Sequence, residues 1–90
     1  TILSPAAAYP KAEEAARLAL SRVPDLAVAH AVLGDVAADY HWDWEAADAS
    51  YRRAVQLSPR AANIHQTYAE FLARMGRFAE ADEHFRSAQE

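Results

Sequence analysis

The chain repeats one residue pattern at a period of about 34 residues, and this self-similarity constrains its fold more than any other feature. Aromatic, alanine and proline positions recur in register, as Tyr9, Ala12, Ala16, Ala19 and Pro24, then Trp44, Ala47, Tyr51, Ala54 and Pro59, then Phe78, Ala81, Phe85 and Ala88. A second set returns after 35 residues, with His30, Leu33 and Gly34 followed by His65, Tyr68 and Ala69. Such a period indicates an array of helical repeats, in which each repeat buries its apolar face only against its neighbours.

The local signals predict an all-α fold of about five helices. Pro10 suits the first turn of the first helix, Asp25 and Asp43 are predicted N-caps, and Gly76 is predicted to close a helix in the left-handed conformation. Only two to four residues separate neighbouring helices, so consecutive helices are expected to pack antiparallel. The predicted helices span about 10–23, 26–40, 44–57, 60–75 and 78–90.

Helical spacing also predicts which side chains face inward. We expect Trp44 and Phe78 to be buried because they repeat the aromatic position of Tyr9, and we expect His84 to lie on the outer face of the last helix. His30 and His65 share a position that packing explains better than metal binding. The predicted inward positions are Ala12, Ala15, Ala16, Ala19 and Leu20; Leu26, His30, Leu33, Val36 and Ala37; Ala47, Tyr51, Ala54 and Val55; and Ala81, Phe85 and Ala88.

These residues resemble tetratricopeptide repeats, whose consensus is an aromatic, Leu-Gly, Tyr, then Ala, Phe and Pro at fixed spacing. The best match runs through His30, Leu33, Gly34, Ala47, Tyr51 and Pro59. The resemblance implies one domain over residues 1–90, a right-handed superhelical stack of antiparallel helix-turn-helix repeats. It divides into a half repeat (1–24), a full repeat with one inserted residue (25–59) and a nearly full repeat (60–90). The amino-acid sequence of these repeats is also similar to that of repeats in bacterial signalling proteins, such as adenylate cyclases and winged-helix regulators.

In this family the first helix of each repeat lines a concave groove that binds a peptide or partner segment. Some members clamp a C-terminal carboxylate with Lys, Asn and Arg, but here Asp35 and Asp39 stand in the groove, so the resemblance implies a basic or mixed-charge ligand. The positions expected in the groove are Val28, Ala31, Asp35, Ala38 and Asp39 on the second helix, and Asn63, Gln66, Thr67, Glu70 and Arg74 on the fourth. Trp42, in the inserted turn, is a further candidate residue for contact with a partner. Alternatively, Tyr40, Trp42 or Trp44 fills the space beside Ala37.

Composition argues against other function classes. The chain lacks cysteine, and its 13 acidic and nine basic residues give a formal charge of −4, which disfavours direct nucleic-acid binding. We expect no enzymatic activity, because the sequence offers no phosphate loop or nucleophile motif, and we expect no metal or cofactor. The absence of long apolar runs and of a signal-peptide pattern predicts a cytoplasmic protein without a membrane span.

Two functions remain open from the sequence. The preferred one is a protein–protein interaction module, non-enzymatic and part of a larger bacterial signalling or regulatory protein. The alternative is a structural segment that forms homo-oligomers through uncapped end helices, since repeat arrays need polar caps at their ends. Leu18 and Val23 at one end and Phe85 at the other are the apolar residues expected to be incompletely covered.

Overall fold

A computed structural model describes the backbone from residue 5 to residue 90 and the side chains from residue 8 onward. Over these residues the fold is all-α, and its five helices confirm the predicted all-α class. The helices are α1 (Pro5–Arg22), α2 (Ala27–Asp39), α3 (Trp44–Leu57), α4 (Ala62–Arg74) and α5 (Phe78–Gln89). Short connections of three or four residues join them. The principal packing pairs are α2 with α3 and α4 with α5, while α1 lies against α2, and α4 contacts both α3 and α2.

Two of the predicted helix ends are set by the expected residues. The Asp43 side chain accepts a hydrogen bond from the backbone N–H of Ala46 at 3.1 Å, and so caps α3. Gly76 has a φ of +78° after α4, in the left-handed region that glycine adopts without steric cost.

Other predicted ends were wrong. Pro10 lies inside α1, because the helix begins at Pro5 rather than at Pro10. The N-cap of α2 is Leu26, without a side-chain cap. Asp25 lies one residue earlier, and its exposed carboxylate accepts from Arg53 at 3.3 Å. The fourth helix begins at Ala62, after the turn that follows Pro59.

The core lies where α2, α3, α4 and α5 meet. Tyr51, Phe71 and Leu72 are almost wholly buried, and the ring of Tyr51 packs against those of Tyr68 and Phe71 with centroids 5.5 and 5.3 Å apart. Gly34 of α2 lies directly against the Tyr51 ring. The small residue on one helix thus leaves room for the large residue on the next.

The two predicted core aromatics are exposed instead. Trp44 is 42% exposed and Phe78 is 69% exposed. Each is the first residue of its helix, where fewer neighbouring side chains surround it than along the middle of the packed face. The repeat period therefore identifies equivalent positions without fixing their burial.

The repeated histidines have a common structural role. Nε2 of His30 lies 3.0 Å from the carbonyl oxygen of Pro24, and Nε2 of His65 lies 2.7 Å from that of Pro59. Because a carbonyl oxygen only accepts, each Nε2 carries the proton and donates it. Each histidine thereby stabilises the turn before its helix by a hydrogen bond; of the two, only His65 is also buried.

Candidate functional site

A cleft of about 270 Å³ opens between α2 and α4, the first helices of the two hairpins. Three carboxylates and one guanidinium stand around it, and two aromatic rings contribute to its lining. The lining residues are Asp35, Asp39, Tyr51, Thr67, Glu70, Phe71 and Arg74. We call this the acidic cleft.

Helical spacing and the repeat together build the acidic cleft. Asp35 and Asp39 are four residues apart on α2, and Glu70 and Arg74 are four apart on α4, so each pair shares one helix face. Asp35 and Glu70 are also equivalent residues 35 positions apart, as are Asp39 and Arg74. Packing α2 beside α4 therefore brings corresponding positions of two repeats to opposite walls.

Asp39 is already occupied by two partners. Its Oδ1 accepts from Arg74 at 3.0 Å, and its Oδ2 accepts from the hydroxyl of Tyr9 at 3.3 Å. The Asp39 carboxylate raises the pKa of Tyr9, because its charge disfavours the phenolate. The only guanidinium of the cleft lining is therefore paired with one of the three carboxylates.

Asp35 is the half-buried carboxylate of the cleft. Burial raises its pKa, although the hydrogen bond from Tyr51 opposes that change. The Tyr51 hydroxyl donates to Oδ1 of Asp35 at 2.5 Å. Burial, reinforced by this contact, raises the pKa of Tyr51 far above its ordinary range, so the hydroxyl remains a donor at neutral pH. Asp35 keeps its second oxygen, Oδ2, for a further donor.

Glu70 forms the opposite wall and is exposed to solvent. Its Oε1 accepts from the side-chain amide of Gln66 at 3.0 Å, one turn earlier on α4. The hydroxyl of Thr67 donates to the backbone carbonyl of Asn63 at 2.9 Å. With Asp39 paired, Asp35 and Glu70 are the carboxylates left to attract a cation into the cleft.

The structure brings together five of the predicted groove residues: Asp35, Asp39, Thr67, Glu70 and Arg74. The others lie elsewhere. Ala31 was predicted to face the groove but is buried, packed with Ala54 and Ile64. Of the other groove predictions, Ala38 is 1% exposed within the core, while Asn63 and Gln66 are exposed on α4 outside the cleft lining.

Val28 belongs to a different surface from the one predicted. It is 52% exposed and lines an apolar cleft of about 290 Å³ between α1 and α2. The predicted apolar stripe of α1 opens into the same cleft, and of its alanines only Ala16 is buried. This apolar cleft is lined by Ala12, Ala15, Ala16, Ala19, Leu26, Val28, Ala29 and Val32.

Sequence reasoning missed two residues of the cleft lining and one residue that contacts it. Tyr51 was predicted only as a core residue, Phe71 was not singled out, and Tyr9, which donates to Asp39, was predicted only as a repeat position. The available signal was chemical: a buried tyrosine hydroxyl needs a hydrogen-bond partner, and Asp35 is the partner the fold supplies.

Trp42 is the most exposed large apolar residue of the described side chains, at 72%. Its φ of +54° is a strained conformation for a side chain of this size. Its ring stacks on Trp44 with centroids 6.5 Å apart. Tyr40 is also exposed, so none of the three aromatics is buried beside Ala37.

Among the described residues, no three histidine, aspartate or glutamate side chains converge as metal ligands do. Of the helices described, none combines the length and apolar character needed to cross a bilayer. Compared with known proteins, the chain matches no family model and no curated sequence. The geometry of the acidic cleft is therefore the basis on which we infer function.

Proposed function

We propose that this chain is a tetratricopeptide-like interaction module that binds an extended peptide and receives one of its basic side chains in the acidic cleft. The repeat period and the five helices support the class. Right-handed superhelical stacking of the hairpins is part of the proposal. The cleft supports the mode of binding, because its walls are the first helices of successive hairpins. The host, on this proposal, is a larger cytoplasmic bacterial signalling or regulatory protein, and the module is non-enzymatic.

The observation that carries the proposal is the charge balance of the acidic cleft. Three carboxylates face one guanidinium, and Arg74 is already paired with Asp39. A partly buried cleft weakens solvent screening, so a lysine or arginine side chain gains more there than on an open surface. A volume of about 270 Å³ is suited to one long side chain rather than to a folded domain.

The same geometry disfavours capture of a carboxylate terminus. A terminal carboxylate would meet Asp35 and Glu70 before it reached the single cation, and like charges repel. To bind that carboxylate, Arg74 would also have to give up its ion pair with Asp39. Asp39 would then need another cation as its partner. The neighbouring Arg74 does allow an acidic residue beside the basic one, so a mixed-charge segment also fits.

A matched set of peptides tests this proposal. Fluorescence anisotropy would compare short extended peptides that carry a central lysine, glutamine or glutamate. We expect the lysine peptide to bind most tightly and to weaken as salt is raised. Asp35→Asn and Glu70→Gln should each weaken it by roughly tenfold or more, the scale of one charge-assisted hydrogen bond. Glu45→Gln, which removes an exposed carboxylate from the first turn of α3, is the matched control and should leave affinity unchanged.

Two results would each overturn the proposal. Tight binding of the glutamate peptide, or of an acidic C-terminus, that is lost in Arg74→Ala would show that the cleft selects anions. Equal loss of affinity in Glu45→Gln and Asp35→Asn would show that net charge, rather than the cleft, governs binding.

A further inference from the structure

A pair of histidines joins α4 to α5 within the second hairpin. Nδ1 of His65 lies 2.8 Å from Nδ1 of His84, and the two rings stack with centroids 5.0 Å apart. His65 is 5% exposed. His84, predicted to face outward, is instead half-buried, with its ring centroid 4.7 Å from that of Tyr68. Neither histidine lines the acidic cleft.

The position of each proton follows from the hydrogen bonds. Nε2 of His65 donates to the carbonyl oxygen of Pro59 at 2.7 Å. A neutral imidazole carries one N–H, so Nδ1 of His65 has only a lone pair. Nδ1 of His84 must therefore donate across the 2.8 Å contact. A single proton, shared between two Nδ1 atoms, links the two helices.

A further proton is poorly accommodated by this pair. Added to Nδ1 of His65, it would set two N–H groups against each other. Added to Nε2 of His84, it would place a cation in a half-buried site. Burial is the main factor that lowers the pKa of His84, and the His65 ring lowers it further.

The charged and titratable groups around His84 do not cancel the lowering of its pKa. On α5 itself, Glu83 and Glu80 favour the charged imidazole but are outweighed. From α4, His65 and Tyr68 face the ring, and the Tyr68 hydroxyl is engaged with Asp48 of α3 at 2.6 Å. The unfolded chain, where a histidine has a pKa of about 6.5, therefore takes up this proton more readily than the folded chain.

We propose that the His65–His84 pair is a proton-sensitive latch, which fastens α5 to α4 while neutral and releases α5 when it takes up a proton. The sign follows from linkage: the latch is fully effective above the unfolded pKa of about 6.5 and weakens as the pH falls below it. Release would withdraw Ala81 and Phe85 from the core and uncover Leu72 of α4. The proposal is independent of ligand binding in the acidic cleft.

The first hairpin supplies an internal control. His30 has the same position as His65 and the same bond to a proline carbonyl, at 3.0 Å. The residue of α3 that corresponds to His84 is Ser50, 34 positions earlier. A neutral serine cannot titrate in this range, so α3 should show no such release from α2.

Two measurements on the intact chain test the latch. Nitrogen NMR of the imidazoles at pH 8 should show the Nε2–H tautomer for His65 and the Nδ1–H tautomer for His84. Native-state hydrogen exchange, corrected for intrinsic rates, should show α5 opening increase by up to about tenfold per pH unit below 6.5, the slope for uptake of one proton. The α5 amides are the right probes, because they are separated from His41, whose ring contacts Glu13 of α1 and not α5.

Two variants separate the latch from general destabilisation. In the double variant His65→Gln/His84→Asn, amides replace both imidazoles and still donate and accept but do not titrate, so the pH slope of α5 opening should disappear. His30→Gln keeps a donor near Pro24 and should retain the wild-type slope. A slope that persists in the double variant, or is absent from the wild type, would overturn the proposal. If the double variant does not fold, an Nε2–H tautomer for His84 in the wild type would overturn it equally.

Discussion

Replacing Gly34 with alanine provides the most direct test of how the two helices of the first hairpin, α2 and α3, pack. A Cβ at this position would lie 2.8 Å from both Cδ1 and Cε1 of Tyr51 and 3.0 Å from Cγ. The ring has little freedom to move, because it is 1% exposed, packs on Tyr68 and Phe71, and is held at its hydroxyl by Asp35. The added methyl group must therefore displace either the ring or α2 itself.

The expected cost combines three effects. An overpacked core contact costs roughly 1–3 kcal/mol. Moving the hydroxyl of Tyr51 away from Asp35 costs about 1.5 kcal/mol more, as for a hydrogen bond to a charged group. Replacing a helical glycine with alanine returns about 1 kcal/mol. With the middle of the overpacking range, the free energy of unfolding should fall by about 2.5 kcal/mol, which corresponds to a drop in Tm of roughly 10–20 °C.

Urea unfolding followed by circular dichroism measures this change. The matched background is Tyr51→Leu, which removes the ring that the new Cβ would meet. In that background, alanine at position 34 should raise stability by up to about 1 kcal/mol, so the sign of the effect reverses. A Gly34→Ala chain as stable as the wild type would refute this account of the contact between α2 and α3.

Three further predictions concern single side chains. Ala54 is 0% exposed, so Ala54→Leu should cost roughly 1–3 kcal/mol in urea unfolding; unchanged stability would contradict its placement in the core. Asp43→Ala should cost about 1 kcal/mol because it removes the α3 cap, whereas Asp25→Ala, which breaks only an exposed ion pair, should cost little by the same assay. Asp35→Asn should raise thermal stability at pH 7, because burial penalises the charged carboxylate. That gain should shrink as the pH falls through the raised pKa of Asp35, and a variant less stable at pH 7 would contradict the assignment.

The sequence predicted most reliably what short-range chemistry determines. The α3 helix, Trp44–Leu57, has the predicted bounds because its N-cap aspartate and its terminating Ser-Pro pair act within a few residues. The predicted cap of α2 was wrong by one residue, because the N-cap is Leu26 and Asp25 lies just before it. An aspartate near a helix start predicts the start but does not by itself specify which residue is the N-cap.

The acidic cleft was predictable in part, for a similar reason. The 35-residue offset makes Asp35 equivalent to Glu70, and any side-by-side packing of α2 and α4 brings such equivalent positions close together. The contacts of His84 and Tyr51 each join the second helix of a hairpin to the first, and these two helices are not equivalent in the repeat. They depend on how far each helix is rotated about its axis, and that rotation is set by packing of the whole core. No local pattern in the sequence specifies it.

Tyr51 connects the core to the acidic cleft, so a change at its hydroxyl should be detectable in the cleft. Tyr51→Phe keeps the ring but removes the donor that holds Oδ1 of Asp35 at 2.5 Å. Because that hydrogen bond lowers the pKa of Asp35 against the effect of burial, its loss should raise the pKa further. Carbon NMR titration of the Asp35 carboxyl group should show the upward shift. Binding of the lysine peptide should then require a higher pH than in the wild type. An unchanged Asp35 titration in Tyr51→Phe would show that the hydroxyl has no part in setting the charge of the cleft.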